Sequence, residues 1–169
     1  MKIATWNING IKARLETVQE WLKQSDPDVA VLQEIKSQDQ GFPNAVFEDL
    51  GYNVETHGQK SFNGVAILSK RPIEDVTRGL PQDPDGEADE QARWIEATIS
   101  GDEAAIRLCC LYLPNGNPTP GPKYDYKINW MKRLQKRAAD LLALEESTIL
   151  LGDYNVIPQL EDAAKPEAW

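Results

Sequence analysis

Four stretches of this chain share one design: an apolar run too short for a helix, followed at once by polar side chains. "KIATWNI" leads into Asn7 and Asn9, and "VAVLQE" ends in Gln33 and Glu34. "AIRLCCLYL" runs through Tyr112 to Asn115, and "TILL" is followed by Asp153 and Asn155. Short apolar runs bounded by polar or turn residues read as buried strands. In sheet proteins the ends of neighbouring strands converge on a rim, where binding crevices form. If these four rims coincide, Asn7, Glu34, Asp153 and Asn155 surround one crevice with Tyr112 nearby, and the ligands they offer are oxygens.

A small set of hard oxygen donors suits magnesium, which keeps several waters and shares a phosphate oxygen. Such an ion stabilises charge developing on a phosphoryl group. Each element also has a plain structural reading. Asn7 and Asn9 fit a turn, Glu34 a solvated strand end, Tyr112 an amphipathic core position, and "GDYN" an ordinary loop. The shared placement at strand ends is what weighs towards a site.

Composition narrows the field. At 169 residues, 41% hydrophobic and 27% charged, the chain has room for one domain, residues 1–169, with a sizeable core. The opening "MKIATWNING" has no apolar signal region, and no later stretch is long enough to cross a bilayer, so a cytoplasmic protein without a membrane partner is expected. A net charge of −9 argues against loose electrostatic binding to nucleic acid, but not against an enzyme in which a cation bridges acidic side chains to phosphate. The adjacent Cys109 and Cys110 lie in a strand-like run, pointing to opposite faces as small hydrophobes. A single histidine excludes a multi-histidine metal centre, and zinc has no cage.

Along the chain, Leu15, Val18, Trp21 and Leu22 in "RLETVQEWLKQ" mark a one-faced helix. A short helix is expected over 43–50, strands in "GYNVETHG", "GVAILS" and "RWIEATIS", and a long amphipathic helix over 124–145. "PNGNPTPGP" excludes regular structure. Lys123, Lys127, Lys132, Arg133, Lys136 and Arg137 on the long helix could meet a phosphate backbone, but a solvated face is the favoured reading. The acidic run "DPDGEADE" has its glycine in the wrong register for a calcium loop and reads as solvated. Early alternation of strands and helices followed by several strands in a row suggests an α/β sandwich with mixed sheets.

"ATWNINGIKAR", "VAVLQEIK", "HGQKSFNGVAILSK", "LYLPNGNP" and "LLGDYNVIP" occur in an order and spacing that resemble the exonuclease III family, within the endonuclease/exonuclease/phosphatase fold. The resemblance spans the whole chain. It implies a four-layer α/β sandwich and magnesium- or manganese-dependent cleavage of DNA phosphodiesters at abasic sites and 3′ ends in base-excision repair. Double-stranded DNA with abasic sites or 3′ ends is the implied partner, with no obligate protein partner. Carried over by position, Asn7 and Glu34 are metal-site residues, with Glu34 the direct carboxylate ligand. Asp153 would orient or deprotonate the attacking water, Asn155 would sit beside the scissile phosphate, and both border the metal. Tyr112 would stand at the phosphate as donor or phenolate. The resemblance further implies that the loop around Asn63 and Gly64 approaches DNA, with Lys12, Lys60 and Asn115 as candidate phosphate contacts.

The family pattern continues for about another third of the domain, with a further aspartate, an apolar DNA-inserting loop and a terminal Ser-Asp-His motif. The resemblance therefore implies an incomplete, C-terminally truncated domain with unpaired sheet edges and impaired activity. His57 occupies an ordinary family position and is expected to make a loop hydrogen bond. Two other readings are an inactive fragment that retains metal or DNA binding, and a phosphoesterase of another branch of the fold.

Overall fold

In the computed structural model, which describes residues 1–81 and 88–165, the buried strands form two sheets of four. The elements in chain order are β1 (Ile3–Asn7), α1 (Ile11–Ser25), β2 (Val29–Gln33), α2 (Asn44–Glu48), β3 (Asn53–His57), β4 (Val65–Ser69), β5 (Ile73–Arg78), β6 (Trp94–Ile99), β7 (Ile106–Tyr112), α3 (Pro122–Ala143) and β8 (Thr148–Asp153). Single 3-10 turns lie at Asp39–Gly41, between β2 and α2, and at Leu160–Asp162, after β8. The first sheet has the order β1-β2-β4-β3 and the second β5-β6-β7-β8. Only β1/β2 and β7/β8 pair in parallel; the other neighbours are antiparallel.

Side-chain alternation along these strands produces the layers. Val29 and Val31 of β2 and Val65 and Ile67 of β4 face the second sheet, where they meet Ile95, Ala97, Leu108 and Cys110. Their neighbours Ala30, Leu32, Ala66 and Leu68 face outward and are covered by Ile11, Val18 and Leu22 of α1 and Phe47 of α2. On the far side, Trp94, Cys109 and Leu111 meet Trp130 and Leu141 of α3. Helix, sheet, sheet and helix make the expected four-layer sandwich. The two cysteines separate as expected, Cys110 between the sheets and Cys109 under α3.

Several elements differ from the sequence reading. α1 begins at Ile11, three residues before the expected Arg14, because Ile11 is itself buried against the first sheet. β5 was not expected. It is an edge strand with an irregular register between Glu74 and Thr77, and mostly exposed charged residues hide its period of two. The long helix is offset by two residues and starts with Pro122 in its first turn, where proline is favoured. Most of "DPDGEADE" lies outside the described residues. Asp89 at its end is not solvated: it accepts hydrogen bonds from Tyr126 and Arg133 of α3. β8 stands at the end of its sheet; Tyr154, Val156 and Leu160, which follow it in sequence, are exposed, as is Leu142 near the end of α3.

α3 is held by charge as well as by apolar contact. Lys123, Lys132 and Lys136 are exposed as expected, but Lys127, Arg133 and Arg137 are half-buried and engaged, which corrects the solvated reading for those three. Arg137 donates through Nε to Glu96 Oε2 at 3.1 Å and through Nη2 to Oε1, while Trp94 Nε1 reaches the same carboxylate at 3.2 Å. Glu96 is 1% exposed, so losing its main cationic partner would strand a buried charge. Arg137→Met is expected to lower stability by about 2–4 kcal/mol in urea unfolding. A loss below about 0.5 kcal/mol, the scale of an exposed pair, would contradict this account.

Candidate active site

The parallel pair in each sheet ends at the same rim. In the first sheet Asn7 stands opposite Gln33, and the ladder runs on through Gly10 N–H to Glu34 O (2.7 Å) and Ile11 N–H to Ile35 O (3.0 Å). In the second, Tyr112 stands opposite Asp153, and Leu113 N–H donates to Asp153 O at 2.8 Å. Carboxyl ends of parallel strands are where open sheets place ligands, and here one such end comes from each sheet. Gly152 is needed for this register: a Cβ there would lie 2.0 Å from Leu111 O, and its φ is +144°. Glu34 (φ 53°) and Asn155 (φ 45°) both adopt the left-handed conformation as the chain leaves its strand.

The side chains meet through one amide. Asn7 Nδ2 donates to Glu34 Oε1 at 3.1 Å and to Asp153 Oδ2 at 2.8 Å, so these two oxygens can be no more than about 6 Å apart. Tyr112 Oη donates to Glu34 Oε1 at 2.7 Å, and Lys36 Nζ lies 2.9 Å from Glu34 Oε2. Asp153 Oδ1 accepts from Asn155 N–H at 2.9 Å, and Asn155 Nδ2 donates to Leu113 O at 2.8 Å. Asn7, Glu34, Asp153 and Asn155, with Tyr112, therefore form one hydrogen-bonded cluster of half-buried side chains.

Burial raises the Glu34 carboxyl, but hydrogen bonds from Lys36, Tyr112 and Asn7 outweigh it and leave the group below its ordinary value of 4.5. Burial, and then the Glu34 charge, push the Tyr112 phenol well above its usual range, so Tyr112 is a hydrogen-bond donor at neutral pH. Burial lowers Lys127, against the pull of Asp153. The buried thiols of Cys109 and Cys110 are pushed up to about 12 and play no part.

The donor set fits a hard divalent cation. Two carboxylates and two amides offer oxygen, with no thiolate or imidazole among them. The described residues hold no group of three or more His, Cys, Asp or Glu side chains placed to hold a metal ion. An ion here would be held by Glu34 and Asn7, with Asp153 and Asn155 at its border, and would keep water or phosphate in its remaining positions, as magnesium does.

The DNA-facing candidates are not all alike. Lys12, Lys60 and Asn115 are exposed. Asn63 is buried, and its amide donates to Gln59 Oε1 (2.8 Å) and Gln91 Oε1 (3.3 Å). Gly64 is also buried; a Cβ there would lie 2.5 Å from Ile35. Both brace the loop behind Glu34, since Lys36 N–H donates to Asn63 O and Ile35 N–H to Gly64 O. His57 Nδ1 lies 3.0 Å from Trp94 O, away from the cluster and within β3 instead of a loop.

Two cations went unnoticed in the sequence, and a third, Lys127, was named only as one of the basic residues of α3. Lys36 contacts Glu34 directly, and its position two residues after the carboxylate was the available signal. Arg93 places its guanidinium 4.8 Å from the Tyr112 ring centroid, and no local pattern announces it. Lys127 donates to Asn155 O at 2.6 Å and Asn115 O at 3.2 Å, tying two strand-end loops together; it was hidden among the other basic residues of α3.

A model of the endonuclease/exonuclease/phosphatase family matches residues 4–168. The chain belongs to that family. It is similar to an exodeoxyribonuclease III of Haemophilus influenzae, 33% identical over 94% of this chain and 58% of the relative. Among solved structures it resembles a Neisseria 3′ phosphatase bound to a product DNA hairpin, with TM-score 0.89, 39% identity, and coverage of 100% of this chain and 63% of that one. It also resembles an AP endonuclease from Archaeoglobus fulgidus, with TM-score 0.84, 39% identity, and coverage of 94% and 59%. The chain thus spans about three-fifths of the length of these relatives. No helix among its described residues is long and apolar enough to cross a membrane.

Because Glu34 is held below its ordinary value, its contribution to stability is present above 4.5 and is lost as pH falls through the lowered value. Urea unfolding of the wild type and Glu34→Gln is therefore expected to diverge as pH rises from about 3 to 7, the wild type gaining on the order of 1 kcal/mol. A gap that stays constant with pH would contradict the hydrogen-bond assignment.

Proposed function

We propose that this chain carries the catalytic centre of a metal-dependent DNA phosphodiesterase of base-excision repair, incising at abasic sites and trimming or cleaning 3′ ends. The observation that supports the reading best is the Asn7 amide, which joins a carboxylate from each sheet at one rim. The relatives support the substrate class: one is named as a deoxyribonuclease, one was captured with a DNA product, and one is an AP endonuclease.

In this reading Mg2+ or Mn2+, when bound, supplies charge stabilisation at the phosphate oxygens. Glu34 and Asn7 hold the ion, with Asp153 and Asn155 at its border. Asp153, oriented by Asn7 and Asn155 through its two oxygens, retains lone pairs to accept a proton from the attacking water. Tyr112, kept as a phenol, has one proton, which Glu34 Oε1 accepts before substrate is bound; to serve as neutral donor to a phosphate oxygen it would turn that proton from Glu34 to the phosphate. Asn155 is steadied by Leu113 O and Lys127, which limits its motion beside the phosphate. Lys12, Lys60 and Asn115 contact the DNA backbone, and the loop carrying buried Asn63 and Gly64 gives that contact a rigid base. With a net charge of −9, binding depends on the cation and on these local groups. The protein acts in the cytoplasm on double-stranded DNA and needs no obligate protein partner.

A second reading, binding of metal or DNA without turnover, draws on the same donor set. The cluster has two carboxylates and no imidazole, and the chain's one histidine is engaged elsewhere. One experiment separates the two. A duplex with a single abasic analogue is incubated with folded protein and magnesium, against EDTA and Asp153→Ala controls. The phosphodiesterase reading predicts magnesium-dependent incision that falls by about 100-fold or more in Asp153→Ala. Metal or duplex binding with no incision would overturn it in favour of the second reading.

A further inference from the structure

Glu34 presents its two oxygens very differently. Oε1 accepts from Asn7 Nδ2 (3.1 Å) and from Tyr112 Oη (2.7 Å), which uses both of its lone pairs. Oε2 is the oxygen left for a cation, and the Lys36 ammonium already lies 2.9 Å from it. Lys36 is not a loosely waving surface lysine. Its backbone is left-handed (φ 50°), its N–H donates to Asn63 O at 2.9 Å, and its ammonium also donates to Asn9 Oδ1. Asn9 is fixed in turn, with its N–H on Asn7 Oδ1 (3.0 Å) and its carbonyl accepting from Arg14 Nη1 (2.5 Å). The side chains of Lys36 and Glu34 are 33% and 19% exposed, so water screens the pair only in part.

We propose that Lys36 is a built-in competitor of the divalent cation, holding Glu34 Oε2 when no metal is bound and setting the metal affinity low. The inference rests on the reading of Glu34 as a metal ligand and adds how occupancy is regulated. A divalent ion reaches a carboxylate oxygen at about 2.1 Å. At Oε2 it would stand within about 5 Å of the ammonium, and like charges at that range repel appreciably even in a wet site. The ammonium has somewhere to go: Asn9 Oδ1 is a second acceptor that it already contacts, so Lys36 can yield Glu34 without losing every partner. Metal entry is thus an exchange of one cation for another on a carboxylate held in place by Asn7 and Tyr112.

The test uses Mn2+ alone, with the free ion followed by electron paramagnetic resonance, so that no turnover is needed. Wild type, Lys36→Met, Lys36→Arg and Glu34→Gln are titrated after circular dichroism shows each to be folded; Lys36→Gln serves as a second neutral variant. Lys36→Met is expected to bind Mn2+ about 3- to 20-fold more tightly than wild type, through removal of the repelling charge. Lys36→Arg should stay within about 2-fold of wild type, and Glu34→Gln should lose the site. If wild type binds Mn2+ but the neutral variants bind equally or more weakly, the competitor role is overturned while the metal reading stands. If neither wild type nor the neutral variants bind, the metal reading itself fails and the inference with it.

Discussion

One side-chain amide joins the two halves of the candidate site. Asn7 leaves the end of β1 in the first sheet and donates at once to Glu34, beside it in the same sheet, and to Asp153, from the second sheet. Two carboxylates brought to one rim repel unless something lies between them, and a divided N–H₂ group is an economical neutral bridge. Every other contact in the cluster supports that arrangement. Tyr112 and Lys36 complete the shell of Glu34, Asn155 completes that of Asp153, and Lys127 holds the loop carrying Asn155.

The sandwich makes the bridge possible because each sheet contains one parallel pair and both pairs finish at the same edge. β1 and β2 deliver Asn7 and Glu34; β7 and β8 deliver Tyr112 and Asp153. The apolar layer between the sheets fixes their separation. The left-handed residues at Asn9, Glu34, Lys36 and Asn155 carry local strain of about 1 kcal/mol or more each. Asp26, Ser61, Asn63, Asp75 and Glu145 share this conformation, so what distinguishes Glu34 and Asn155 is that the left-handed turn falls where the chain leaves a strand at the rim.

Much of the fold was legible in the sequence because β2, β4, β6 and β7 are short, apolar and largely buried, and because α1 and α3 carry clear stripes. β5 was illegible for the opposite reason: an exposed, charged edge with an irregular register shows no period. Asn7, Glu34, Tyr112, Asp153 and Asn155 could be named because each closes an apolar run. Their mutual contacts could not be read, since Asn7 and Asp153 are 146 positions apart. Lys36, Arg93 and the loop-tying role of Lys127 escaped because a cation's role depends on what it faces across the fold. The resemblance placed Asn63 in a loop that approaches DNA, whereas its amide is turned inward to Gln59 and Gln91.

The central claim is that one cation site spans both sheets. Paramagnetic broadening of backbone amide signals in the 15N-labelled chain by substoichiometric Mn2+ tests it most directly, because the effect is confined to nuclei near the ion. The account predicts that Asn7, Glu34, Asp153 and Asn155 broaden together and first, with residues at the opposite ends of the same strands unaffected. Broadening confined to one sheet, or centred on acidic residues away from this rim, would contradict it.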